Sequence, residues 1–151
     1  MSEVSLRKTY YDNGIIRSEE QLIGDKRNGT CRWYYNTGVL EAELNFKDDI
    51  RNGLFCSYYR SSKIWQEVHY KNNLEDGITR WFYESGQVAS EACYINGKQE
   101  GTTRWYYENG KPKLVENYKN GLLNGEVITY NETGVIKKTE NYVNGQKTDL
   151  S

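Results

Sequence analysis

Along the chain, short stretches in which Tyr, Trp, Thr, Val and Ile interleave with polar residues are separated by polar clusters that carry Gly and Asn. The pattern restarts every 24 residues: GTTRWYYENG at 101–110 repeats GITRWFYESG at 77–86. The same register finds GTCRWYYNTG at 29–38, GLFCSYYRSS at 53–62, GEVITYNETG at 125–134 and SLRKTYYDNG at 5–14. Self-similarity at a fixed period marks a repeat architecture, in which neighbouring units complete an apolar face that one unit cannot bury alone. Six units starting at residues 5, 29, 53, 77, 101 and 125 tile 5–148 as a single repeat domain, with 1–4 and 149–151 as terminal tails.

Each unit carries a turn signal at its middle, such as Asp12-Asn13-Gly14, Asn36-Thr37-Gly38 or Glu108-Asn109-Gly110. A second signal near the end reads Asn96-Gly97, Asn120-Gly121 and Asn144-Gly145, a pair that accepts positive φ at both centres of a type I′ hairpin turn. The β-prone residues between the signals predict a pair of antiparallel strands per unit. Helical periodicity is absent, and the glycine spacing would break a helix. The expected fold is all-β: six 24-residue β-hairpin repeats forming an elongated, twisted antiparallel meander sheet.

Charges suggest the register. A four-residue loop Asn36–Val39 would set Tyr35 against Leu40, Trp33 against Ala42 and Arg32 against Glu43, and would likewise pair Lys8 with Glu19 and Arg80 with Glu91. Arg104 breaks the rule, with Val115 opposite it. Alternation along strands then gives a packing face of Trp33, Tyr35, Leu40, Leu44 and Phe46, continued by Trp81, Tyr83, Val88, Tyr94, Trp105, Tyr107 and Tyr118. The opposite face carries the Arg and Glu pairs and one ring per unit: Tyr10, Tyr34, Tyr58, Phe82, Tyr106 and Tyr130.

Composition limits the function. Of 151 residues, 36% are hydrophobic and 14% aromatic, so rings rather than aliphatic side chains must fill the interior. A net charge of −1 gives no pull toward nucleic acid or an anionic membrane. Arg32, Arg80 and Arg104 beside rings resemble a single-strand stacking platform, but the opposing glutamates cancel the positive field that phosphates require, so no nucleic-acid partner is expected. The stretch MSEVSLRK holds no apolar run or cleavage pattern, so neither a signal peptide nor a spanning helix is expected, and the location is read as cytoplasmic. Cys31, Cys56 and Cys93 share no metal or disulfide spacing and are read as plain thiols.

The unit GxxRWYYxxGxxxxExxYxxG, carried by GTTRWYYENG with NYKNG and by GITRWFYESG with CYING, resembles the variant MORN repeat (membrane occupation and recognition nexus) over essentially the whole chain. Bacterial proteins built wholly of this variant are often classed as YwqK-like antitoxins. The resemblance implies a cytoplasmic immunity protein or antitoxin that binds and blocks a toxin. The alternative it leaves is a scaffold that organises protein partners or contacts membrane lipid.

Catalysis is not expected. His69 is the only histidine, and Glu19, Glu43, Glu67 and Glu91 occupy one column of the repeat, mostly facing a base, rather than two distinct environments. No cofactor or metal site is expected. A protein partner remains, since Arg and aromatic residues anchor interfaces. The third unit departs most from its siblings, with Ser57 in a Trp column, Ser62 in a Gly column, Cys56 in an Arg column and an added Trp65 placed opposite Tyr58 on the charged face. Two readings of that cluster stay open. Either Trp65 compensates for aromatic area lost at Ser57, or Tyr58, Arg60, Trp65 and His69 form a partner-binding hot spot flanked by Tyr34, Arg32, Arg80 and Phe82. A monomer and an edge-paired dimer are both compatible with open terminal strands.

Overall fold

The computed structural model describes residues 3–148. Its contacts divide the chain after Leu74 into two compact units. The first holds β1 (Val4–Tyr10), β2 (Ile16–Ile23), β3 (Lys26–Tyr34), β4 (Leu40–Lys47), β5 (Ile50–Tyr58) and β6 (Ile64–Lys71), each hydrogen-bonded antiparallel to the next. A two-residue strand, β7 (Leu74–Glu75), spans the division. The second unit contains β8 (Gly77–Phe82), β9 (Val88–Ile95), β10 (Lys98–Gln99), β11 (Gly101–Tyr106), β12 (Pro112–Lys119), β13 (Leu122–Leu123), β14 (Gly125–Tyr130), β15 (Ile136–Val143) and β16 (Gln146–Thr148). It too is an antiparallel meander, in the order β8-β9-β11-β12-β14-β15-β16. The architecture is thus all-β and built of hairpins, as the pattern of turns requires. β1 begins at Val4, inside the expected tail, and residues 1–2 and 149–151 lie outside the described residues.

The charge pairs stand where expected: Lys8 opposite Glu19, Arg32 opposite Glu43, Arg80 opposite Glu91, and Arg104 opposite Val115. The route to that register differs. Tyr35 N donates to Val39 O at 2.8 Å and Gly38 N to Tyr35 O at 2.8 Å, so the loop is three residues, closed by Gly38 at φ 86°. The lost residue reappears as a bulge: Tyr34 pairs with Leu40 and Trp33 with Ala42, leaving Glu41 extra. Leu40 therefore shares the charged face with Tyr34, and Val88 shares it with Phe82, not the packing face. Arg17, Trp65, Ala89, Lys113 and Lys137 are the corresponding extra residues in the other units.

Cys31, Leu44 and Phe46 form the buried centre of the first unit, with Trp33, Phe55 and Tyr70 packed against them. Trp33 meets Phe46 edge-on at 6.4 Å, and Phe55 meets Tyr70 likewise at 6.4 Å. In the second unit the most buried positions are small: Thr79, Ser90, Ala92 and Thr103. Tyrosine hydroxyls staple successive hairpins by donating to a backbone carbonyl: Tyr11 to Tyr34 O at 2.6 Å, Tyr35 to Tyr58 O at 2.8 Å, Tyr83 to Tyr106 O at 2.6 Å and Tyr107 to Tyr130 O at 2.8 Å.

Candidate partner-binding groove

Bulge geometry decides where the third unit presents its extra tryptophan. Tyr58 pairs with Ile64 and Ser57 with Gln66, so Trp65 is the unpaired residue between them. At a bulge two consecutive side chains share one side. Trp65 consequently leaves the charged face and joins Ser57, Phe55 and Trp33 on the packing face. The expected position of Trp65 opposite Tyr58 is thereby corrected. What results is a groove of about 470 Å³ within the first unit, walled by Tyr11, Trp33, Tyr35, Phe55 and Trp65, with Arg17 and Glu41 at its rim.

Three properties describe this groove. Trp65 remains 45% exposed, although it tilts against Tyr59 with ring centroids 6.3 Å apart. Ser57 is buried at 5% exposure, and its Oγ has no hydrogen-bond partner. An unpaired buried hydroxyl costs about 1–3 kcal/mol, and the Ser90 Oγ of the second unit is unpaired in the same way. Arg17 and Glu41 place one charge of each sign at the rim. Replacement of lost area by Trp65 is therefore partial: it lines the same groove that Ser57 opens, without closing it.

The other hot-spot residues separate. Arg60 lies in the turn after β5 with its guanidinium 4.6 Å from the Tyr35 ring, near the groove. Tyr58 and Tyr34 lie on the charged face, where their hydroxyls donate to Glu43 at 3.0 Å and Glu19 at 2.8 Å. Burial, then the bond to Glu43, pushes the Tyr58 phenol well above its usual range, and burial followed by the bond to Glu19 raises Tyr34. Arg32 bonds Glu43 at 3.2 Å, and His69 is exposed opposite Leu54 on the same face. Arg80 and Phe82 belong to the second unit, Arg80 bonding Glu91 at 2.7 Å. The predicted set thus spans two faces, and most of its charged-face members already serve intramolecular bonds.

Sequence reasoning placed Trp33, Tyr35 and Ser57 in the packing column but missed the groove they form with Arg17, Glu41 and Phe55. Its signal was the column of extra residues, bulky or charged at Arg17, Glu41 and Trp65, read beside Ser57 in a column of tryptophans. The second unit carries a shallower cleft between Val88, Glu91 and Tyr106 with Gly86 and Gly110 at its edge, which offers one ring where the groove offers five. Among the described residues, no group of three His, Cys, Asp or Glu side chains gathers to hold a metal, and no helix is long and apolar enough to cross a membrane.

Comparison with known families matches the chain to the MORN repeat variant at residues 4–22, 27–48, 51–72, 75–96, 99–120 and 123–144. These six segments correspond to the six units read from the sequence. No curated protein matches. Among solved structures, a chain of a complex described as GtfA/B bound to UDP and GlcNAc aligns with 76% of this chain at 10% identity and a TM-score of 0.32. This chain spans 22% of that one.

Proposed function

Because the chain belongs to the MORN repeat variant family, whose repeats are generally protein- or lipid-interacting modules, we propose that it acts by binding another protein and occluding that protein's working surface. The kind of partner this suits is a toxin held inactive in the bacterial cytoplasm, which makes the chain a YwqK-like antitoxin or immunity protein rather than an enzyme. One observation carries the reading: the first unit keeps an indole half in solvent in a groove with four further rings. Aromatic anchors with a polar rim are the usual centre of a protein interface. A lipid-binding scaffold draws less support, since the groove rim carries both signs of charge and the net charge is −1.

The test is capture from native lysate with the tagged full chain, beside a Trp65→Ala variant whose fold is checked by circular dichroism. One stoichiometric protein, lost in the variant and toxic when expressed without this chain, is the expected outcome. Equal capture by both versions would remove the groove from the account. Recovery of lipid in place of a protein would contradict the antitoxin reading itself.

A further inference from the structure

The two units contain a similar arrangement, with a small residue at the centre of each and a difference at one flank. In the second, Ser90 pairs across the ladder with Trp81 on one side and Trp105 on the other. The two indoles stack over it, with centroids 6.5 Å apart and planes 14° from parallel. In the first, Ala42 stands in the same way between Trp33 and Ser57. The small central residue is kept and the second indole is missing.

Resting on the protein-binding reading above, we propose that the groove over Ala42 is a receptor slot for one aromatic side chain of the partner, which takes the place of the missing indole against Trp33. The volume of about 470 Å³ accommodates such a ring. Trp65 does not fill the slot, for it leans on Tyr59 and stays half in solvent. Ser57 lines the groove, but its unpartnered Oγ is closed off from the surface, as is the Ser90 Oγ beside the two stacked indoles, so selectivity for a ring rests on stacking against Trp33.

Charge completes the description of the occupant. Arg17 lies 5.9 Å from the Tyr11 ring, and among the described residues neither Arg17 nor Glu41 forms an ion pair. A segment complementary to this rim carries an acid and a base beside its Trp or Tyr. Added salt should then slow its association more than it hastens its release.

Titration of the full chain with N-acetyl-tryptophanamide, followed by NMR at the Ala42 methyl and the Trp33 indole, tests the slot directly. Saturable shifts at both sites are expected, with N-acetyl-leucinamide at least about tenfold weaker. Ser57→Trp, which supplies the indole from within, should abolish the response while keeping the fold. Ser57→Ala, which removes only the buried hydroxyl and leaves the slot open, should keep the response. Should Ser57→Trp fail to fold, Ser57→Phe provides a smaller filler with the same expected loss. Equal response to the leucine amide, or binding undiminished in the filled variant, overturns the proposal. Much tighter binding of free tryptophan than of its amide would overturn the protein occupant in favour of an amino-acid ligand. With the captured partner in hand, retention by Ser57→Trp would defeat the slot alone, whereas failure of the unaltered protein to capture any protein would defeat the broader reading.

Discussion

At the scale of single residues, the third unit carries its departures as local strain. Ser62 adopts φ 65° in a turn position that glycine fills in the neighbouring units, as at Gly38 and Gly86. A side chain in the left-handed region costs about 1–2 kcal/mol. Ser62→Gly is therefore expected to stabilise the protein by up to about 1 kcal/mol once the extra freedom of unfolded glycine is subtracted, read as a higher denaturant midpoint. The opposite sign is expected at Tyr35, whose hydroxyl serves Tyr58 O at 2.8 Å. Tyr35→Phe should cost about 1–2 kcal/mol by leaving that carbonyl unpaired. Ser57 and Trp65 were both legible as exceptions in the sequence. Their shared face was not, because a one-residue bulge that compensates a one-residue-shorter loop leaves the Arg32–Glu43 pairing unchanged and only the side of residue 65 altered.

At the scale of elements, two different joints connect successive hairpins. The second unit uses Asn-Gly turns, and Asn96, Gly97, Asn120 and Gly121 all take positive φ as their identity predicts. Acid and amide side chains one hairpin earlier cap them: Asp76 accepts from Asn96 N at 3.1 Å, Glu100 from Asn120 N at 2.7 Å and Asn124 from Asn144 N at 3.2 Å. In the first unit the turns at 48–49 and 72–73 have no glycine, whereas Gly24 takes φ 61° in the turn before β3. Asp48, Asp49, Asn72 and Asn73 hold the left-handed conformation themselves, and the second residue of each pair grips an arginine: Arg27 N bonds Asp49 at 3.1 Å, and Arg51 N bonds Asn73 at 2.8 Å. The arginines then lie over rings, Arg27 at 4.0 Å from Phe46 and Arg51 at 4.5 Å from Tyr70. Arg51→Ala should lower stability by about 1–2 kcal/mol, mostly through this lost packing, which urea unfolding would register. The Asn-Gly joints were readable from dipeptides alone. The arginine joints were not, since they depend on contacts 22 residues away that no local signal announces.

At the scale of the whole molecule, stability should depend on pH through carboxylates held below their ordinary range. Hydrogen bonds from Lys8 and then Tyr34 depress Glu19, the bond from Arg27 depresses Asp49, and Lys147 followed by Lys138 depresses Glu140. A carboxyl lowered by folding contributes stability above its unfolded value of about 4.3, and loses it as pH falls through the folded value. The denaturant midpoint should hold near neutral pH and drop below about pH 4. Glu19→Gln should shrink that drop, and a midpoint flat down to pH 3 would contradict the assignment. The repeat count and hairpin fold were legible in the 24-residue period, because the mid-unit turns and the Asn-Gly turns are locally encoded. The groove was legible only in its parts, because it arises where an absent tryptophan and a displaced one meet. A partner protein is expected to cover this groove, and hydroxyl-radical footprinting of the captured complex reads that cover at Trp65. Oxidation of Trp65 should fall sharply on binding, while Trp105, itself 40% exposed, keeps its rate. An unchanged rate at Trp65 in a saturated complex would contradict the claim.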